Sequence, residues 1–144
     1  MKNRIIKTIT INKEISFVYN TLKEIEKWYL WTTSINKISF LTDRGFEVGA
    51  KIKIEQPKLP SAIWTITEID ENKMFTWKTR RLGTEIIGKH WLEELKNDTI
   101  VTLEIEYNGF WASIFHKLSS KITTQYLELE INGLKAICEK QRSE

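Results

Sequence analysis

The chain has 144 residues, 41% of them hydrophobic and 28% charged, the make-up of one globular domain with a sizeable core, which excludes a disordered chain and a membrane-embedded one. Its net charge is +3, and Lys and Arg are interleaved with Glu along the whole length, which argues against a nucleic-acid partner. One cysteine, Cys138, excludes an internal disulfide, and two histidines, His90 and His116, cannot assemble a usual zinc site without several carboxylates, so neither metal nor cofactor is expected.

Met1 to Thr8 lacks the apolar stretch and small-residue cleavage site of a secretory signal, so the expected compartment is cytoplasmic. No apolar run approaches the ~20 residues of a spanning helix, and no integral membrane association is expected. Arg4 to Ile11 alternates and is rich in Ile and Thr, which reads as a strand. From Lys13 to Trp28 the residues Ile15, Val18, Tyr19, Leu22 and Ile25 recur at helical spacing, giving one amphipathic helix or two short ones behind an Asn12 cap. Ile35 to Leu41 is a strand, Asp43-Arg44-Gly45 a turn, and Ala50 to Gln56 a strictly alternating strand. Pro57 and Pro60 confine the next connection to a loop. Four further strands follow over Ala62 to Ile69, Met74 to Arg80, Thr84 to Glu94 and Thr99 to Tyr107, and the short polar turns between them predict an antiparallel meander.

After Asn108-Gly109 the apolar period changes to that of a helix. Trp111, Phe115, Leu118, Ile122, Tyr126, Leu129, Gly133 and Ile137 form a stripe along a segment from about Phe110 to Lys140. So long a helix needs a broad surface to lie on, and the sheet is the only one on offer. The fold class is therefore α+β: a curved antiparallel sheet of about seven strands wrapped around a long C-terminal helix, with short helices after the first strand, in a single domain spanning 1–144. This is a helix-grip arrangement.

Several stretches carry a family resemblance. They are Glu26-Lys27-Trp28 through Trp31-Thr32-Thr33-Ser34-Ile35, Gly49-Ala50-Lys51-Ile52-Lys53-Ile54-Glu55-Gln56-Pro57-Lys58-Leu59-Pro60, Trp64-Thr65-Ile66-Thr67-Glu68 and Phe75-Thr76-Trp77. Later come Gly88-Lys89-His90, Thr99-Ile100-Val101-Thr102-Leu103, and Tyr126-Leu127-Glu128 with Gly133-Leu134-Lys135. In this order and spacing the chain resembles the START-like (SRPBCC, Bet v 1-like) superfamily, and within it the bacterial polyketide cyclase/dehydrase-like proteins, over nearly its whole length. The resemblance implies a deep apolar cavity between sheet and helix that holds lipids, polyketides or similar small hydrophobic ligands. It does not imply a shared reaction, since most members bind and only some catalyse.

Strand parity predicts which side chains face such a cavity. The inward set is Ile52, Ile54 and Gln56, then Trp64 and Ile66, Phe75, Trp77 and Thr79, Ile86, Gly88, His90 and Leu92, and finally Val101, Leu103, Ile105 and Tyr107. Lys51, Lys53, Lys78, Arg80, Lys89, Glu93, Thr102, Glu104 and Glu106 fall on the other face, which suits water, and the parity breaks near Glu68, where a bulge is expected. The candidate ligand-binding residues are Trp31 from the aromatic cluster that closes the short helical segment, Ile52, Ile54, Trp64, Trp77, His90 and Tyr107 from the sheet, and Phe115, Leu118 and Ile122 from the helix stripe. His90 is also the candidate catalytic group, an imidazole in apolar surroundings able to orient a carbonyl or move a proton, against a plain structural histidine bonded to a helix side chain or to Tyr107.

No carboxylates form an inward pair, since Glu128 and Glu130 lie two apart on a helix and face different directions. Gly-x-Ser-x-Gly and phosphate-loop motifs are absent. Trp91 and Ile87 on the convex face mark either cover by another element or the contact of a homodimer. Three functions follow in order: a binding protein for a small hydrophobic molecule, a polyketide cyclase/dehydratase-type enzyme using the same cavity, and a protein-interaction module.

Overall fold

A computed structural model describes residues 3–140. The strands are β1 (Asn3–Ile11), β2 (Lys37–Phe40), β3 (Lys51–Glu55), β4 (Ala62–Asp70), β5 (Met74–Arg81), β6 (Thr84–Leu95) and β7 (Asp98–Gly109); the helices are α1 (Ile15–Lys23), a short 3-10 helix (Ile25–Leu30) and α2 (Ala112–Lys140). The strands form one antiparallel sheet in the order β1-β7-β6-β5-β4-β3-β2. A loop over 56–61 joins β3 to β4 and tight turns join β4 through β7 as a meander, and β1 adds to the free edge of β7 in full register, Asn3 opposite Tyr107 and Ile11 opposite Thr99. The bulge expected near Glu68 is present, as a register shift between Ile66 and Glu68 against β5.

Because β1 and β2 lie on opposite edges, the chain between them has to cross the sheet. α1 and the 3-10 helix make that crossing on the concave side and close one end of it. Val18, Tyr19 and Leu22 of α1 and Ile25 and Trp28 of the 3-10 helix are buried there against Ile11, Ile52, Phe75, Leu92 and Val101. The helical segment predicted after Asn12 is thus two pieces. The residue before α1 is Glu14, with no side-chain cap, while Asn12 donates its backbone N–H to the Glu139 carboxylate of α2 at 2.8 Å.

α2 has 29 residues, about 44 Å at 1.5 Å per residue. Its C-terminal half is packed: Leu127, Ile131, Leu134 and Cys138 are buried in the core. Its N-terminal half stands off the sheet, and of its side chains only Ala112 is buried. That difference between the two halves is what leaves a cavity in the molecule.

The face α2 turns inward is not the predicted stripe but one rotated by about one residue. Trp111 and Leu129 are exposed, and Leu118 is 79% exposed. The reason is chemical: opposite the cavity the helix presents Ser119, Thr123 and Glu130, so counting apolar residues locates the wrong arc.

On the convex face the prediction of water-facing carboxylates also needs correcting. Glu104 is 2% exposed and Glu106 7%. β7 lies between β1 and β6, and the longer side chains of these neighbours fold over it. Arg4 Nη1 lies 3.8 Å and Lys89 Nζ 3.9 Å from Glu104 Oε2, and Lys89 Nζ donates to Glu106 Oε1 at 3.1 Å. Trp91 on the same face is 39% exposed, with the Lys89 ammonium 5.5 Å from its ring centre.

Candidate functional site

The cavity occupies about 290 Å³ between the sheet and the N-terminal half of α2, at the lower end of the roughly 300–1,000 Å³ of small-molecule sites. The register of the sheet sets its long axis. Arg81 pairs with Thr84 and Thr84 with Gly109, just before α2 begins; moving away from that end, Ile86 pairs with Tyr107, Trp77 with Gly88, and His90 with both Phe75 and Leu103. α2 runs back along the same direction, placing Phe115, Ser119, Thr123, Leu127 and Glu130 in turn along the cavity. The outer end is framed by Gln56, Leu59 and Pro60 of the β3–β4 loop, Arg81 and Phe115, and the inner end by buried Trp28 and Ile35.

The walls are apolar and mostly aromatic. Trp28, Phe75, Trp77 and His90 form one interlocked group with ring centres 3.9–6.4 Å apart, and Trp64 extends it, 5.5 Å from Trp77. Gly88 makes this packing possible. A Cβ there would lie 2.6 Å from Trp77 Nε1, so the indole rests on the bare backbone of β6.

The polar groups fall into two sets. Near the outer end and middle they satisfy one another: the Tyr107 hydroxyl bonds Ser119 Oγ at 2.8 Å and Thr123 Oγ1 at 3.1 Å, Tyr126 donates to the Pro57 carbonyl, and Arg81 donates to the Ser61 carbonyl at 3.0 Å. The first three tie α2 to β7 and to the β3–β4 loop, and the last ties β5 to that loop.

The inner set is His90 and Glu130. His90 is 5% exposed, its ring stacked on Phe75 at 3.9 Å, and its Nδ1 lies 3.0 Å from the Phe75 carbonyl oxygen. A carbonyl can only accept, so Nδ1 carries the proton and Nε2 of the neutral ring is an acceptor. Burial pulls the imidazole down from 6.5 to about 4 against the opposing effect of that bond, so the ring is neutral through the physiological range. Glu130 Oε2 accepts from Ser34 Oγ at 3.0 Å, which leaves the Thr32 hydroxyl to donate to Ser34 Oγ at 2.8 Å. Burial pushes the Glu130 carboxyl up from 4.5 to about 7, the Ser34 bond pulling the other way. A carboxyl poised near 7 in an apolar cavity can give or take a proton at little cost.

Of the residues singled out in the sequence, Ile54, Trp64, Trp77, His90, Tyr107 and Phe115 line the cavity. Four lie elsewhere. Ile52 is inward-facing but fully buried in the core, and Leu118 points to solvent. Ile122 is half-buried on the flank of α2 without reaching the cavity. Trp31 packs outside α2, over a shallow hollow with Gln125, Leu129 and Gly133. Its carbonyl oxygen comes within 1.9 Å of where a Gly133 Cβ would stand, and its ring, 5.4 Å from that of Trp28, backs the cavity wall without lining it. His90 is bonded to the backbone of its neighbouring strand, to neither of the partners anticipated.

Glu130 and Trp28 were not among the candidates. Glu130 has no second carboxylate on the same side; its partner is the hydroxyl of Ser34, 96 residues away in sequence, which in turn bonds Thr32. No local pattern announces such a partnership. Among the described residues no cluster of three or more His, Cys, Asp or Glu is placed to hold a metal, and no helix is long and apolar enough to cross a membrane.

By sequence, no family model and no curated protein matches the chain. By structure the agreement is extensive. A hypothetical protein of Helicobacter pylori superposes with a TM-score of 0.80 at 12% identity, over 96% of this chain and 89% of its own. A START superfamily protein of Mycobacterium smegmatis gives 0.75 at 12% identity, over 96% and 99%. An aromatase/cyclase from a Streptomyces species gives 0.78 at 11% identity, over 96% and 94%. The chain has the START-like helix-grip fold. Identities this low establish architecture alone, and what the START-like cavity does in this chain has to be argued from its own residues.

Proposed function

We propose that this START-like chain binds a small, largely apolar molecule in the cavity between sheet and α2. The observation that supports the reading most is the failure of the N-terminal half of α2 to pack on the sheet, which leaves an aromatic-walled space with only a few polar groups turned into it. Empty apolar volume forfeits dispersion contacts, so a domain that maintains it is best understood as keeping room for a ligand. Native mass spectrometry of the protein purified from its own host should show a retained hydrophobic molecule. In parallel, naphthalene should quench tryptophan emission saturably in the native protein and not in Ala62→Trp, which fills the cavity wall. A protein that retains nothing and shows no saturable quenching removes this reading.

The second reading is a cyclase- or dehydratase-type enzyme, and Glu130 is what favours it. A carboxyl titrating near 7 in the same cavity as a neutral imidazole is suited to proton transfer on a confined substrate. Loss of turnover in Glu130→Gln with ligand affinity retained would select it. We propose a cytosolic setting, which fractionation of the host cell tests; recovery with the membrane or the medium removes it. A homodimer through the convex face around Trp91 is tested by solution mass of the native protein and Trp91→Ala; a monomer in both removes it.

A further inference from the structure

The cavity's polar groups differ in whether their hydrogen-bonding capacity is already used. Tyr107, Ser119 and Thr123 bond one another, and Tyr126 and Arg81 are bonded to backbone carbonyls. Three groups toward the inner end keep unspent capacity. Trp77 Nε1–H makes no hydrogen bond to a described residue, in contrast to Trp28, whose indole donates to the Leu22 carbonyl at 2.7 Å. His90 has spent Nδ1 on the Phe75 carbonyl and has Nε2 left as an acceptor. Glu130 has one oxygen bound by Ser34 and the other without a described partner.

These groups lie at the same end of the cavity. Trp77 and Phe75 are alternate residues of β5, paired with Gly88 and His90 of β6, and the Trp77 and His90 rings are 5.4 Å apart. On the facing wall, Glu130 is seven residues beyond Thr123 along α2, about 10 Å further in than the Tyr107 hydroxyl cluster. His90 is four residues beyond Ile86, the partner of Tyr107, about 13 Å in the same direction. Sheet and helix thus bring one donor and two acceptors to a single apolar end.

Resting on the binding role just proposed, we infer that the ligand is an apolar, ring-sized molecule bearing a hydroxyl, inserted hydroxyl first, so that this group accepts from Trp77 Nε1–H and donates to His90 Nε2 or Glu130. The complement selects this chemistry by elimination. An ammonium cannot accept from the indole. A carboxylate cannot donate and faces the carboxyl of Glu130. An ether or ketone satisfies Trp77 but gives His90 nothing, and His90, held neutral by its burial, can only accept at Nε2. Of these groups a hydroxyl serves both kinds of partner from one atom, and an acceptor left unpaired beneath an apolar ligand is costly.

The test uses naphthol and its methyl ether, which share a ring system and differ in whether they can donate. Titrations at pH 8 follow tryptophan quenching in the native protein, His90→Phe and Glu130→Leu, with circular dichroism confirming that each variant folds. The readout is the ratio of the two affinities, because a loosened cavity weakens both probes alike and leaves the ratio unmoved. The native protein should prefer naphthol about tenfold, one hydrogen bond to a buried acceptor. At least one of the variants should bring the ratio to near parity.

Parity in the native protein, with both probes binding, overturns the hydroxyl assignment and leaves the binding role standing. No saturable binding of either probe overturns both. A native preference that persists undiminished in both variants overturns the assignment to His90 and Glu130. Should neither variant fold, the native ratio alone decides.

Discussion

The cavity's shape depends on single residues whose role is to be small. Gly88 lets the Trp77 indole lie on β6, and because that indole is wedged among Trp28, Trp64 and Phe75 it has little room to retreat. Gly88→Ala should therefore destabilise the fold by about 1–3 kcal/mol, as overpacking in a dense core does, and should weaken naphthalene binding as the displaced ring enters the cavity. Unchanged urea midpoints and unchanged quenching would mean that the Trp77 contact is looser than described. The residue scale is also where sequence reading met its limit. Parity along β3 to β7 located His90, Trp64, Trp77 and Tyr107 on the inner face from alternation alone, because backbone pleating enforces it. It was silent on Glu130, whose environment is made by Ser34 and Thr32 from across the fold.

At the scale of elements, α2 shows how two demands divide one helix. Its C-terminal half is held by burial and its N-terminal half by hydroxyl bonds across the cavity, so substitutions in the two halves should behave differently. Leu134→Ala removes a fully buried side chain and should cost about 2–5 kcal/mol, whereas Leu118→Ser touches an exposed one and should stay within about 0.5 kcal/mol. Comparable losses for both in denaturant melts would restore the predicted stripe and reject the helix rotation described above. Gly133 adds a test with an informative sign. In the middle of a helix, Gly→Ala ordinarily stabilises by about 1 kcal/mol, but here the new Cβ would meet the Trp31 carbonyl at 1.9 Å, and backbone cannot yield as a side chain can. Gly133→Ala should lower the melting temperature; a rise would show that the loop after the 3-10 helix can lift from α2.

For the whole molecule, the buried His90 and the part-buried, desolvated Glu130 act on stability in opposite senses. Glu130 is raised from 4.5 to about 7, so between those values the folded chain holds more protons than the unfolded one. Its contribution is full below pH 4.5 and is lost as pH rises to 7. His90 is lowered from 6.5 to about 4, so its contribution is full above pH 6.5 and is lost as pH falls to 4. Between pH 4.5 and 6.5 the two slopes oppose each other, each at most about 1.4 kcal/mol per pH unit, and together they leave stability nearly flat. Glu130→Gln should uncover a steeper fall toward acid, and His90→Phe a gain on going from pH 7 to 4.5. Parallel stability curves for the native protein and both variants would show that these groups are not buried as described.

Much of this architecture was legible in the amino-acid sequence. Alternation in five successive strands, the short polar turns between them and the change of period after Gly109 determine an antiparallel meander followed by a long helix, since these are local consequences of pleat, turn and helical repeat. The sequence by itself also determined that His90, Trp64 and Trp77 face inward, and that one bulge falls near Glu68. Only the tertiary structure decided which arc of α2 faces the sheet, that Trp31 lies outside it, that Glu104 and Glu106 are covered, and that Glu130 enters the cavity. The physical reason is the same in each case. The orientation of a helix over a hollow is set by where the hollow is, and burial of a charge by which neighbours reach over it, and both depend on contacts between different elements, from the 17 residues between Lys89 and Glu106 to the 96 between Ser34 and Glu130.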